Sequence, residues 1–286
     1  GLRLRGQRGY VAVGINQPSR SAGRTCRGDQ QATRPRMSAT IFIIVLGAAI
    51  AGFVQGLSGF TFGLVATSIW IWVVEPQLIA PMVVFGAMTG QLLAVFTVRR
   101  GFNWKLFWPY LAGGFAGIPI GVAILPHLDM HLFKTMLGAL LAIWCPVMLL
   151  SSRLPPVRVG GALLNGVIGV TGGIMSGFGG FSGVIPTLWC TLRRYDKDVQ
   201  RSIIQNFNLA ILTTTMAGYI ASGIVTVKLL PTFGLILPAM LIPTLLGTRV
   251  YIGISETAFR QIVLSLLTLS GVAMLVSSVP HLFGRI

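Results

Sequence analysis

The side chains best suited to chemistry are neutral hydrogen-bond donors within two glycine-rich stretches of an apolar chain. The second stretch, Gly169–Pro186, holds seven glycines in eighteen residues. The hydroxyl and amide residues of the two stretches are Gln55, Ser58 and Thr61 in the first and Ser176 and Ser182 in the second. Such groups, placed beside unpaired backbone N–H groups at a helix break, suit a small oxyanion without a buried arginine. The pattern predicts an anion-binding site.

The two stretches have the same internal spacing. An offset of 121 positions aligns Gly56 with Gly177 and Gly59 with Gly180. Glycine is costly inside a helix, so each stretch is predicted to be a broken helix. The predicted substrate-binding residues are Gln55, Gly56, Ser58, Gly59, Thr61, Ser176, Gly177, Gly179, Gly180, Ser182 and, on the following segment, Asn206.

Two structural alternatives apply to these residues. Close helix packing accounts for glycines spaced as Gly52 and Gly56 or Gly173 and Gly177, and interhelical hydrogen bonds account for Asn206 and its neighbour Asn208. Gln91 has no polar counterpart in the other half of the chain, and we interpret it as a packing residue.

The cysteines and histidines do not indicate an enzyme. Cys26, Cys145 and Cys190 are isolated, without a CxxC pair or clustered histidines. His127 and His131 have the spacing of two ligands on one helix face, but Pro126 and the loop setting favour an interfacial helix cap. No phosphate-binding loop is present. We therefore predict no catalytic residue, metal or cofactor.

Composition indicates an integral, multi-pass membrane protein. The chain is 53% hydrophobic and 10% charged, with a mean hydropathy of +0.79. Its net charge of +16 suggests nucleic acid, but 8 of the 22 basic residues are arginines in the first 36 positions. The others are spread through short loops, as topology signals are. The predicted partners are lipid and a small anion, with the oligomeric state open.

Hydrophobicity divides the chain into a tail and two halves. Residues 1–37 form a predicted disordered basic tail, which we interpret as upstream translation before Met37, or else a basic arm on anionic lipid. Residues 38–152 and 153–286 each contain one glycine-rich stretch and three further apolar segments. The predicted fold is an all-α polytopic membrane protein of two homologous repeats and about eight hydrophobic segments.

The basic residues indicate the topology. If each glycine-rich stretch crosses the membrane once, the 14 basic residues after Met37 divide equally between the two sides. If each stretch enters and returns, or crosses twice, 11 of the 14 lie on one side, as the positive-inside rule expects. Each half then makes an odd number of crossings, so the repeats are predicted to be inverted, with their broken helices meeting at the midplane.

Several motifs resemble the sulfite exporter TauE/SafE family of permeases. They are GFVQGLSGF, GGIMSGFGGFSGVIP, RRYDKDVQ ahead of an Asn-bearing helix, and LIPTLLGTRV. The resemblance covers residues 38–276 and implies a plasma-membrane permease for sulfite, organosulfonates or related small anions. It also implies a substrate contact for Arg249, although the position of that residue near a helix end favours snorkelling.

The predicted function is secondary transport by alternating access at the midplane. The alternatives are an anion channel and a membrane scaffold subunit without transport. Glu75 and Asp196 occupy equivalent positions in the two halves and could couple protons, but their flanking residues favour loop acids.

Overall fold

A computed structural model describes residues 26–59, 61–97, 104–151, 153–157, 160–250 and 256–283. These residues form ten α-helices and no strand. The helices are α1 (Cys26–Ser58), α2 (Phe62–Trp70), α3 (Pro76–Thr97), α4 (Trp104–Ile124), α5 (Met130–Leu150), α6 (Ala162–Gly179), α7 (Val184–Leu192), α8 (Lys197–Ala221), α9 (Leu230–Val250) and α10 (Glu256–Phe283). Of the predicted tail, residues 1–25 lie outside the described part, and residues 26–37 begin α1. Contacts separate Gly1–Ala39 from Thr40–Ile286, and all packing described below lies within the second unit.

Seven of the described helices are long and apolar enough to cross a membrane. They are α1, α3, α4, α5, α6, α9 and α10. The predicted all-α polytopic membrane class is therefore confirmed. Helix α8 has 25 residues, which is long enough to cross, but it is more polar than the seven because it buries Gln205, Asn208 and Thr215 inside the protein.

Acidic residues stand at the starts of three helices. The side chain of Asp129 accepts a hydrogen bond from the Leu132 N–H at 2.7 Å and caps α5. Glu75 and Asp196 immediately precede α3 and α8 and are both exposed. Their backbone carbonyls accept first-turn hydrogen bonds, so both are loop acids at helix starts.

Both glycine-rich stretches are interrupted helices. At equivalent positions, Gly59 and Gly180 have φ values of 84° and 75°, the left-handed region that glycine adopts most readily. The Gly59 N–H donates to the Gln55 carbonyl at 2.7 Å, and the Gly180 N–H donates to the Ser176 carbonyl at 2.8 Å. These bonds end α1 and α6 in the same way, with a left-handed C-terminal cap.

After each break the chain turns back along the helix it has just left. The Trp70 indole, at the end of α2, donates to the Ile44 carbonyl of α1 at 3.2 Å. The Trp189 indole of α7 donates to Asn165 Oδ1 of α6 at 3.0 Å, and Asn165 is 121 positions after Ile44. Each glycine-rich stretch is therefore a helical hairpin with one long and one short arm. We call them the first hairpin (α1–α2) and the second hairpin (α6–α7).

The long arm of each hairpin crosses a helix of the other half at close range. A Cβ on Gly121 of α4 would lie 2.2 Å from the Ile174 carbonyl oxygen of α6, and one on Gly247 of α9 would lie 2.4 Å from the Phe53 carbonyl oxygen of α1. Ile174 follows Phe53 by 121 positions. Such clearances leave room for hydrogen only, so these glycines allow the backbones to touch.

Candidate functional site

A small cavity, to which Gln91, Ser182 and Asn208 contribute polar side chains, lies where the two hairpins meet. A Cβ on Gly63 of α2 would lie 3.1 Å from the Gly180 carbonyl oxygen, which shows how closely the hairpins approach. The lining residues are Gly63, Leu64, Ala87, Gln91, Gly180, Phe181, Ser182, Gly183, Val184, Asn208 and Leu212. The cavity volume is about 10 Å³, which is room for about one water molecule.

The cavity lies at the N-terminal ends of both short helices. Gly63 and Leu64 belong to the first turn of α2, and Gly183 is the N-cap residue of α7. In α2 the first N–H that bonds within the helix is that of Val65, to the Thr61 carbonyl at 3.2 Å. First-turn N–H groups have no intrahelical acceptor, and they carry the positive end of the helix dipole. The lining residues are therefore well suited to stabilising negative charge.

Asn208 is the principal donor side chain of the cavity. The Ser182 hydroxyl donates to Asn208 Oδ1 at 2.9 Å, and both residues are about 2% exposed. Because that oxygen accepts the hydroxyl proton, the Nδ2 group of Asn208 is the part of the amide that can donate to a ligand. Ser182 therefore positions the amide.

Gln91 is a lining residue that sequence reasoning missed. Its side chain is 1% exposed, and its Nε2 donates to the Gly59 carbonyl at 2.7 Å. Its Oε1 has no hydrogen-bond partner among the described residues. The residue equivalent to Gln91 in the second half is Leu212, so the duplication gave no signal for a polar site there.

The predicted residues of the first hairpin lie beside the cavity and do not line it. Gln55 is 3% exposed, its Nε2 donates to the Ala87 carbonyl at 3.2 Å, and its Oε1 has no partner among the described residues. Ser58 and Thr61 bond to each other through their hydroxyl groups. Gly59 joins the site through its carbonyl, which accepts from Gln91.

In the second hairpin the predicted residues divide between the cavity and helix packing. Gly180 and Ser182 line the cavity. Gly177 packs on α4, where an added Cβ would lie 2.7 Å from the Gly121 Cα. Ser176 bonds to Thr215 Oγ1 at 2.8 Å, and Gly179 packs against the Phe181 ring. In the first hairpin, Gly56 likewise packs away from the cavity, against Thr244 and Gly247.

Two further predicted residues are not brought to the cavity. Asn206 turns its Nδ2 to the Ser202 carbonyl of its own helix, at 2.8 Å, and Asn208 takes the lining position. Arg249 belongs to α9, and its side chain lies outside the described residues.

Within the described residues, no group of three or more His, Cys, Asp or Glu side chains could hold a metal ion. Cys145 and Cys190 are buried and free. The polar groups of the cavity lining are backbone amides, the Ser182 hydroxyl and the carboxamides of Gln91 and Asn208.

Comparison with known proteins identifies the family of the chain. The chain matches no curated protein and no solved structure. The family model described as "Sulfite exporter TauE/SafE" matches residues 44–274, a range that includes both helix breaks and every lining residue of the cavity. The chain therefore belongs to the sulfite exporter TauE/SafE family and is a multi-pass membrane transporter.

Proposed function

We propose that this chain is a secondary permease that exports a small sulfur-containing oxyanion, sulfite or an organosulfonate, by binding it between the two hairpins. The observation that carries the proposal is the cavity at the N-terminal ends of α2 and α7. Two helix dipoles directed at one space favour an anion there. The buried Asn208 amide adds a side-chain donor to the same space.

The charge of the lining supports a carrier. The described lining residues include no lysine or arginine, so the proposed site holds an anion by neutral donors alone. A fixed cationic partner would bind an oxyanion more tightly and slow its release. Neutral donors favour reversible binding, which a carrier needs on both sides of the membrane.

The dimensions of the hairpins support re-entrant segments and inverted repeats. Each short arm has nine residues and is about 13 Å long, less than half of a bilayer core of about 30 Å. A short arm therefore returns towards the side from which its long arm entered. A re-entrant hairpin followed by three crossings gives each half an odd number of crossings, which inverts the second half relative to the first.

The contacts support two repeats, residues 38–152 and 153–286, related by approximate two-fold symmetry. Helix α4 packs on α6, and its equivalent α9 packs on α1. The equivalent pairs α5 with α10 and α3 with α8 also pack on each other. In the proposed mechanism, one repeat rocks against the other around the cavity.

The size of the cavity supports alternating access. A cavity with room for about one water molecule is too small for a four-atom oxyanion, so the hairpins must separate to admit one. A channel would need a continuous open path. Saturable flux without single-channel conductance would favour the carrier over the channel.

The test is anion flux in proteoliposomes that contain the full chain. We expect saturable sulfite flux that at least one other small sulfur-containing anion reduces by competition. Sulfate, thiosulfate and taurine are the competitors to compare, and the proton gradient is varied to identify coupling. Gly180→Leu, which adds a large side chain to the cavity lining, is expected to abolish that flux. Flux no greater than that of empty liposomes, with no competition among the anions, would favour the scaffold alternative.

A further inference from the structure

The Oε1 atom of Gln91 differs from the donor groups around it. It is a hydrogen-bond acceptor without a partner among the described residues, and it belongs to a cavity-lining side chain that is 1% exposed. A buried polar atom without a partner is costly, and native proteins rarely retain one without a ligand or water to satisfy it. The cavity therefore needs a ligand group that donates.

The orientation of the Gln91 amide follows from its other contact. The atom 2.7 Å from the Gly59 carbonyl oxygen must be the nitrogen, because a carbonyl can only accept. The Gly59 carbonyl stands at the end of α1, where glycine has φ 84°. The break in the first hairpin thus fixes the oxygen as the end of the Gln91 amide that is left without a partner.

The remaining polar groups of the lining determine which hydrogen-bonding groups the rest of the ligand must carry. The first turn of α2 and the Asn208 Nδ2 group supply donors, so most of the ligand must accept. In α7 the Val184 N–H already donates to the Phe181 carbonyl at 3.3 Å and Pro186 has no N–H, so this helix contributes mainly the positive end of its dipole. Gln91 Oε1 requires one donor in the same small ligand. A fully deprotonated oxyanion such as sulfate offers acceptors alone and leaves Gln91 unsatisfied.

We propose that the site selects a singly charged oxyanion that carries one hydrogen-bond donor, and that sulfite binds as hydrogensulfite in its O–H form. The O–H group donates to Gln91 Oε1, and the other oxygens accept from the N-terminus of α2 and from Asn208. This inference rests on the proposed function and specifies its substrate. Because the proton travels on the anion, each transported sulfite carries one proton in the same direction.

The pH dependence of sulfite transport tests this inference. Sulfite takes up its proton close to neutral pH, whereas methanesulfonate carries no donor there. With the wild-type chain in proteoliposomes, we expect the KM expressed as total sulfite to rise about tenfold per pH unit above the sulfite pKa, since only the protonated fraction binds. The KM expressed as hydrogensulfite stays constant, and methanesulfonate competes weakly. A KM for total sulfite that does not change across this titration overturns the proposal, as does equal competition by methanesulfonate.

Gln91→Met removes the acceptor while keeping a side chain of similar length. The preference for hydrogensulfite over methanesulfonate is expected to fall to about one, because neither anion then finds an acceptor. Gln77→Met is the matched control, because Gln77 lies on the same helix and bonds to the Leu128 carbonyl at 3.1 Å, outside the cavity lining. A full preference retained in folded Gln91→Met contradicts the proposal, and the wild-type pH series decides it if that variant does not fold.

Different experimental outcomes would contradict the proposed function and this inference. Absence of saturable flux for every anion removes the proposed function and this inference together. Saturable flux that ignores both the protonation state of sulfite and the presence of a donor removes only this inference.

Discussion

The Ser182 hydroxyl donates to Asn208 Oδ1 at 2.9 Å, across the gap between the second hairpin and α8. This bond assigns different tasks to two residues that look equally suited to an anion. Ser182 commits its only proton to the amide oxygen, and Asn208 keeps its Nδ2 protons for a ligand. Asn208 is thus the donor of this pair, and Ser182 holds it in place.

Asn208→Ala is expected to weaken substrate binding strongly. A hydrogen bond to a charged group contributes about 1.5–3 kcal/mol, so the KM for sulfite should rise roughly ten- to hundredfold, with a smaller rise in Ser182→Ala. The measurement is the concentration dependence of flux in proteoliposomes.

Asn206→Ala is the matched control for that variant. Asn206 lies on the same helix but bonds to the Ser202 carbonyl and does not line the cavity. Its KM should stay within about twofold of wild type, since the lost bond is within one helix. A larger rise in KM for Asn206→Ala than for Asn208→Ala would indicate that the site lies on another face of α8.

Gly180→Ala is expected to lose both stability and transport. Its φ of 75° disfavours any side chain by about 1–2 kcal/mol, and the new Cβ would lie 2.7 Å from Val83 Cγ1. Gly223→Ala separates the two causes, because Gly223 has φ 71° but nothing within 4 Å of its added Cβ. Thermal unfolding in detergent should show a loss in both variants, larger for Gly180, and flux should fall in Gly180→Ala alone. Equal loss of flux in both variants would show that Gly180 affects transport only through the stability of the protein.

Gly177→Ala is expected to destabilise the crossing of α4 and α6. The added Cβ would lie 2.7 Å from the Gly121 Cα, and such overpacking costs about 1–3 kcal/mol. Gly166→Ala on the same helix meets nothing closer than the Pro109 carbonyl at 3.7 Å. Thermal unfolding should show a lower melting temperature for the first variant and an unchanged or higher one for the second, because alanine favours helix over glycine. Unchanged stability of Gly177→Ala would show that the helices can move apart at little cost.

The breaks could be predicted from the sequence because their cause is local. Gly59 and Gly180 end helices through their own backbone conformation, and glycine clusters mark such positions in the sequence itself. The same stretches also contain Gly56 and Gly177, whose role depends on a helix far away in sequence. From spacing alone, the glycines that end helices could not be distinguished from those that lie at helix crossings.

The cavity side chains were harder to predict because they depend on helix rotation. Asn206 and Asn208 are two positions apart, which places them on nearly opposite faces of α8, and only the packing of that helix decides which one is lining. Gln91 meets Gly59 from 32 positions away. Because its counterpart Leu212 is apolar, a comparison of the two halves gave no indication that Gln91 lines a site.

The proposed inverted repeats predict which loops share a side of the membrane. Lys105, Arg194 and Lys228 are exposed and lie near helix ends, so a cysteine at each position can report its side. In a chain with Cys26→Ser, the buried Cys145 and Cys190 should not react with a membrane-impermeant maleimide. If both hairpins are re-entrant, Lys105→Cys and Arg194→Cys label from the cytoplasmic side and Lys228→Cys labels from the opposite side. If each hairpin instead crossed once, Lys105→Cys would share a side with Lys228→Cys and not with Arg194→Cys, and that pattern would exclude the inverted arrangement.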